Sequence, residues 1–133
     1  MEWHIYIDGA SSCNPGHSGA GLVVYNEHGD EVTRQAVYLG EMTNNMAEYE
    51  ALLHALRKAR ESSIGKVFVY TDSLLVTNQI LGVYKIKNMT LKKYADEAQR
   101  IIRTLDHFTV KYIPRELNRI ADKLAKEAIT TKG

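Results

Sequence analysis

Four acidic residues stand where carboxylates can do chemistry. Asp8 follows the apolar run Ile5-Tyr6-Ile7, and Asp72 follows Val69-Tyr70-Thr71. Each run reads as a strand, so each acid sits at a strand's carboxyl end, where open α/β sheets bind ligands. If those strands are parallel neighbours, the two carboxylates converge. Glu48 opens one helical pattern, and Asp122 lies near the start of another, one position off its apolar face. Each acid also has a plain structural use. Asp8-Gly9 can form an Asx-turn. Glu48 can join Asn45 in a capping arrangement. Asp72 can cap the helix that follows it, and Asp122 can pair with Lys126 one turn on. Taken singly, the plain uses are the stronger ones. Taken together, four carboxylates at one end of one sheet repel one another and need a counter-charge. Hard divalent cations with oxygen ligands meet that need, magnesium first among them. Two such ions about 4 Å apart can clamp the attacking and leaving oxygens of a phosphoryl displacement.

The elements that must position these acids follow from the hydrophobic period. Residues 3–8, 20–26 and 31–39 read as strands, with loop chemistry over 9–19 and a turn at His28-Gly29-Asp30. Their short connections favour an antiparallel meander. From Asn45 to Arg60 the period becomes helical, with Ala47, Ala51, Ala55 and Ala59 forming a small-residue stripe that lets a helix approach a sheet closely. A compact strand at 66–71 follows, then helices at 73–81 and about 90–105, a strand at 107–113, and a break at Pro114. A last helix spans 117–129 and carries Leu117, Ile120, Ala121, Leu124, Ala125, Ala128 and Ile129 on one face. Helices between the later strands imply parallel pairing through right-handed crossovers. The expected architecture is α/β: a five-stranded mixed sheet, three strands antiparallel and then parallel ones, with helices on both faces.

Composition bounds the rest. The 133 residues make one domain, 1–133, with a short Thr-Thr-Lys-Gly tail. The apolar fraction of 44% is enough for a packed core, and no run is long enough for a membrane span. The single cysteine, Cys13, makes no internal disulfide and no zinc spacing, so the expected compartment is the reducing cytoplasm. The expected state is a monomer. Net charge is +1, but residues 1–83 carry −5 and residues 84–119 carry +5. Such asymmetry fits either a basic face or an ordinary solvated helix surface. Gly16, Gly19 and Gly21 lack the spacing of a nucleotide-binding loop and read as turn and strand-packing glycines.

Four ordered segments carry a family resemblance. They are Tyr-Ile-Asp-Gly-Ala-Ser-Ser-Cys-Asn-Pro-Gly, Thr-Asn-Asn-Met-Ala-Glu-Tyr-Glu-Ala-Leu, Tyr-Thr-Asp-Ser and Asn-Arg-Ile-Ala-Asp-Lys-Leu-Ala. Together they resemble type I ribonuclease H, in a compact form without its basic protrusion. The resemblance implies a ribonuclease H-like fold and metal-dependent cleavage of the RNA strand of RNA/DNA hybrids, leaving 5′-phosphate and 3′-hydroxyl ends. It implies Asp8, Glu48, Asp72 and Asp122 as catalytic and metal-binding residues for two Mg2+ ions, with Mn2+ as a substitute. By the same likeness Asn14, Asn44 and Asn45 contact nucleic acid near the scissile phosphate, and Thr43 holds a phosphate of the DNA strand. Thr43, Asn44 and Asn45 can equally cap a helix.

Departures from the family matter too. The long basic helix of some members is reduced here to residues 82–88, and Lys85, Lys87, Lys92 and Lys93, with Tyr84 to stack, are a smaller phosphate footprint. A loop histidine of the family is absent, and Arg115 stands nearby, either to move a phosphate or to cap. Three readings result: a hybrid nuclease, a nuclease that also cuts double-stranded RNA, and a non-catalytic duplex-binding domain.

Overall fold

A computed structural model describes residues 1–131; Lys132 and Gly133 of the expected tail lie outside them. Ten elements follow one another: β1 (Glu2–Ser11), β2 (Gly16–Asn26), β3 (Glu31–Met42), α1 (Asn44–Glu61), β4 (Lys66–Thr71), α2 (Leu74–Ile80), α3 (Met89–Ile102), β5 (His107–Tyr112), a 3-10 turn (Arg115–Leu117) and α4 (Arg119–Thr130). The sheet order is β3-β2-β1-β4-β5. The pairs β1–β2 and β2–β3 are antiparallel, and β1–β4 and β4–β5 are parallel, which is the expected mixed sheet.

Alternation along the strands divides the sheet into two faces. Trp3, Ile5, Ile7, Ala20, Leu22, Val24, Val67, Val69 and Val110 form one face and meet Tyr49, Leu52, Leu53 and Leu56 of α1 in the main core. All four alanines of the α1 stripe are fully buried, so the helix lies close to the strands. α3 packs beside α1 on this side. The opposite face carries His4, Tyr6 and Asp8, with α4 laid across its β2 side.

Residues 9–19 need a correction. They are not all loop: β1 runs on to Ser11 and β2 starts at Gly16, paired through Gly9↔Ala20, Ala10↔Gly19 and Ser11↔Ser18. Gly9 serves packing rather than a turn, and Gly21 packs as expected. A Cβ at Gly9 would lie 2.3 Å from the Ala47 carbonyl carbon of α1, and one at Gly21 would lie 2.1 Å from the Ala121 oxygen of α4. Bare backbone here lets helices seat on both faces of the sheet at the level of Asp8.

The last helix also differs from its expected form. Asn118 separates the 3-10 turn from α4. Leu117 is 66% exposed and Ile120 40% exposed, so neither belongs to the buried stripe of Ala121, Leu124, Ala125 and Ala128. They border a hollow of about 640 Å³ floored by His4, Tyr6, Val23 and Tyr25, which none of the four acids reaches. No helix among the described residues is long and apolar enough to cross a membrane.

Candidate active site

The parallel pairing brings two of the acids level. Ile7 is the register partner of Thr71, so Asp8 and Asp72 both come one residue past the last rung of the β1–β4 ladder. Glu48 reaches in from the second turn of α1, and its Oε1 accepts the Gly9 N–H at 2.6 Å. Asp8, Glu48 and Asp72 each offer an oxygen within 4.8 Å of the others. Asp122 enters from α4, on the sheet face that carries Asp8. All four line one hollow of about 340 Å³, shared with Ser11, Asn44, Tyr112, Arg115 and Lys126.

Three of the plain uses are absent from the structure. Asp8 continues a strand and forms no turn. The cap of α1 is Thr43, whose Oγ1 accepts the Met46 N–H at 3.2 Å, and Glu48 turns to Gly9 rather than to Asn45. The cap of α2 is Ser73, whose Oγ accepts from Val76, which leaves the Asp72 carboxylate free of that task. The fourth use is present: Lys126 Nζ lies 3.1 Å from Asp122 Oδ2, and Arg115 Nη2 lies 3.7 Å from Asp122 Oδ1.

The electrostatics are those of a cluster compensated at Asp122 and not at Asp8 and Glu48. Asp8 is 5% exposed and Glu48 6%. Burial first, then the charges of Glu48 and Asp72, push the Asp8 carboxyl up to about 10. Burial raises Glu48 to about 8 despite the bond from Gly9. Burial also opposes ionisation of Asp122, but the hydrogen bond from Lys126 and the charges of Lys126 and Arg115 outweigh it and hold that carboxyl below its usual range. Asp122 Oδ1 is buried without a hydrogen-bond partner. An all-oxygen donor set, two buried acids kept from ionising and an orphaned oxygen fit a hard divalent cation.

The expected nucleic-acid contacts fall into two groups. Asn14, Thr43, Asn44 and Asn45 gather at the start of α1: Asn14 Oδ1 accepts the Asn44 N–H at 3.0 Å, and Asn44 lines the acid hollow. Lys85 and Lys87 lie on the exposed α2–α3 connection and do not line it. Arg115 does. Lys126, Tyr112 and Ser11 were not singled out from the sequence as site residues. Only the i,i+4 spacing from Asp122 pointed toward Lys126; nothing local marks the other two.

Comparison with known proteins identifies the family. Residues 6–128 match a family model described as reverse transcriptase-like. Ribonuclease H of Bartonella bacilliformis is 34% identical over 95% of this chain and 88% of its own length. This chain belongs to the ribonuclease H family. Ribonuclease HI of Halobacterium salinarum is 34% identical over 95% of the chain and 63% of its own length, so the domain spans under two-thirds of that relative. The crystal structure of RNase H1 from Halobacterium salinarum superposes with a TM-score of 0.95 at 33% identity, covering 98% of both chains. LC11-RNase H1, solved in complex with an RNA/DNA hybrid, superposes at 0.93 with 38% identity, covering 98% of this ribonuclease H domain and 99% of that chain.

Proposed function

We propose that this ribonuclease H domain hydrolyses the RNA strand of RNA/DNA hybrids, leaving 5′-phosphate and 3′-hydroxyl ends. The observation that carries the reading is the convergence of Asp8, Glu48 and Asp72 within 4.8 Å, with Asp122 on the same hollow. These four residues would hold two magnesium ions, with manganese as a substitute. Magnesium bound there supplies positive charge to a phosphate in transfer and lowers the pKa of water. The chain's own groups do the rest. The Gly9 N–H holds Glu48 in place. Lys126 and Arg115 keep Asp122 ionised and stand ready beside a phosphate. Thr43, Asn14, Asn44 and Asn45 offer amides and a capped helix start to the backbone of the duplex, where the 2′-hydroxyl separates RNA from DNA. All four acids come from one chain, so a monomer is sufficient. The single thiol suits a reducing cytoplasm.

The short α2–α3 connection favours a second reading on substrate range. With only Lys85 and Lys87 there to grip a DNA strand, double-stranded RNA is a second substrate. One experiment tests both readings. Hybrid and double-stranded RNA, labelled at an RNA 5′ end, are incubated with magnesium or manganese and with wild type or Asp8→Asn. Metal-dependent cuts in the hybrid's RNA strand that vanish in the variant are the expected result. Uncut hybrid that is nonetheless bound by the folded protein overturns the nuclease in favour of a duplex-binding domain. Intact double-stranded RNA beside cut hybrid removes the wider range.

A further inference from the structure

Asn118 joins the segments that carry three groups of the acid hollow. It is 1% exposed. Its Nδ2 donates to the Ile7 carbonyl at 2.8 Å, on the residue before Asp8 and at the last rung of the β1–β4 ladder. Its main-chain carbonyl accepts the Asp122 N–H at 3.1 Å, and its N–H donates to the Arg115 carbonyl at 2.9 Å. The strand bearing Asp8, the helix bearing Asp122 and the turn bearing Arg115 therefore meet at one residue.

Its side chain gives up other uses to do this. An asparagine at the start of a helix ordinarily turns its oxygen to the first free N–H groups. Asn118 makes no such bond at α4. Its Oδ1 is buried with no hydrogen-bond partner among the described residues. Reversing the amide would set oxygen against the Ile7 carbonyl, so only the present orientation makes the link. A buried asparagine that neither caps its helix nor satisfies its oxygen is held for its donor.

We propose that Asn118 is a positioning residue that sets the spacing between Asp8 and Asp122, and through it the metal affinity of the site. This rests on the reading of the four acids as metal ligands. Groups that orient ligands from behind change affinity or activity roughly 10–100-fold when removed. A purely structural residue on α4 would lower stability without that signature.

The test compares wild type, Asn118→Ala, Asn118→Asp and Leu124→Ala. Leu124 is buried on α4 and does not line the acid hollow. Mn2+ binding is followed by electron paramagnetic resonance, and the Mg2+ concentration for half-maximal hybrid cleavage is measured below every variant's unfolding temperature. Both Asn118 variants are expected to weaken Mn2+ binding and raise the Mg2+ requirement about 10–100-fold, with an unchanged KM for hybrid and recovery of kcat at high metal. Leu124→Ala is expected to lower Tm alone. Asn118 variants that lose stability like Leu124→Ala but bind metal like wild type overturn the proposal and leave the nuclease reading intact. Wild type that neither binds Mn2+ nor cuts hybrid overturns the nuclease reading, and this proposal with it.

Discussion

The acid hollow and the α2–α3 connection face the same task, gripping a polyanion, with opposite construction. At the hollow Glu48 and Asp122 have bracing partners, and backbone pairing places Asp8 and Asp72. Gly9 N–H holds Glu48, Lys126 holds Asp122, and the β1–β4 ladder sets Asp8 level with Asp72. Helices press on both faces there, so closely that Gly9 and Gly21 have no space for a Cβ. In the connection, residues 81–88, Ile86 is the one side chain turned inward, while Lys85, Lys87, Val83 and Tyr84 are exposed. Ligating a metal demands placement to a fraction of an ångström. Attracting a phosphate backbone does not, because the Coulomb term is long-ranged and tolerant of geometry. The chain spends its packing where position matters.

The largest effect is expected from breaking the braced side at its centre. Asp8→Asn should lower hybrid cleavage more than about 100-fold while keeping the fold, as read by labelled-RNA assay and circular dichroism. Gly21→Ala attacks the same side through packing. Its Cβ would meet the Ala121 carbonyl and push α4, with Asp122, away from β1. A loss of roughly 1–3 kcal/mol in denaturant unfolding is expected, with a fall in activity that outlasts correction for the unfolded fraction.

A subtler contrast lies in pH. Asp8 and Glu48 have folded pKa values raised to about 10 and about 8, above their unfolded values near 4. The folded state then binds more protons than the unfolded one between those limits, so metal-free stability should fall as pH rises from about 4 toward 8–10. Saturating magnesium should flatten that slope, and Asp8→Asn should reduce it; thermal melts at several pH values check both. The smallest effect is expected from the connection. Lys85→Ala with Lys87→Ala should leave kcat and Tm unchanged and reduce the salt slope of hybrid binding by up to about 0.9 per lysine. A fall in kcat instead would mean that the connection shapes the site.

Much of the site could be read from local sequence because its two central acids follow apolar runs that end the β1–β4 ladder. Period-2 alternation ending at Asp8 and at Asp72 is a local signal, and the β-α-β order that makes the strands parallel is nearly as local. Glu48 and Asp122 were legible as acids near helix starts, and Lys126 as the partner of Asp122, but the partner of Glu48 was not. That Glu48 meets Gly9 rather than capping with Asn45, and that Ser73 rather than Asp72 caps α2, are choices among local options that only packing resolves. Leu117 escaped the helical pattern because it belongs to the 3-10 turn, outside the phase of α4, while Ile120 lies in the first turn of α4 at the rim of the larger hollow. The composition of residues 9–19 suggested a loop throughout, since the need for a missing Cβ at Gly9 and Gly19 comes from helices far off in the chain.

Most of the elements, the mixed topology and the four candidate acids could be read in the chain alone, because periodicity, punctuation and residue type act over a few neighbours. How close those acids stand, which of them are kept from ionising, and which groups other than Lys126 brace them were settled by packing. Those properties depend on burial and on contacts between residues such as Ile7 and Asn118, 111 positions apart, and a one-dimensional pattern carries no such distances.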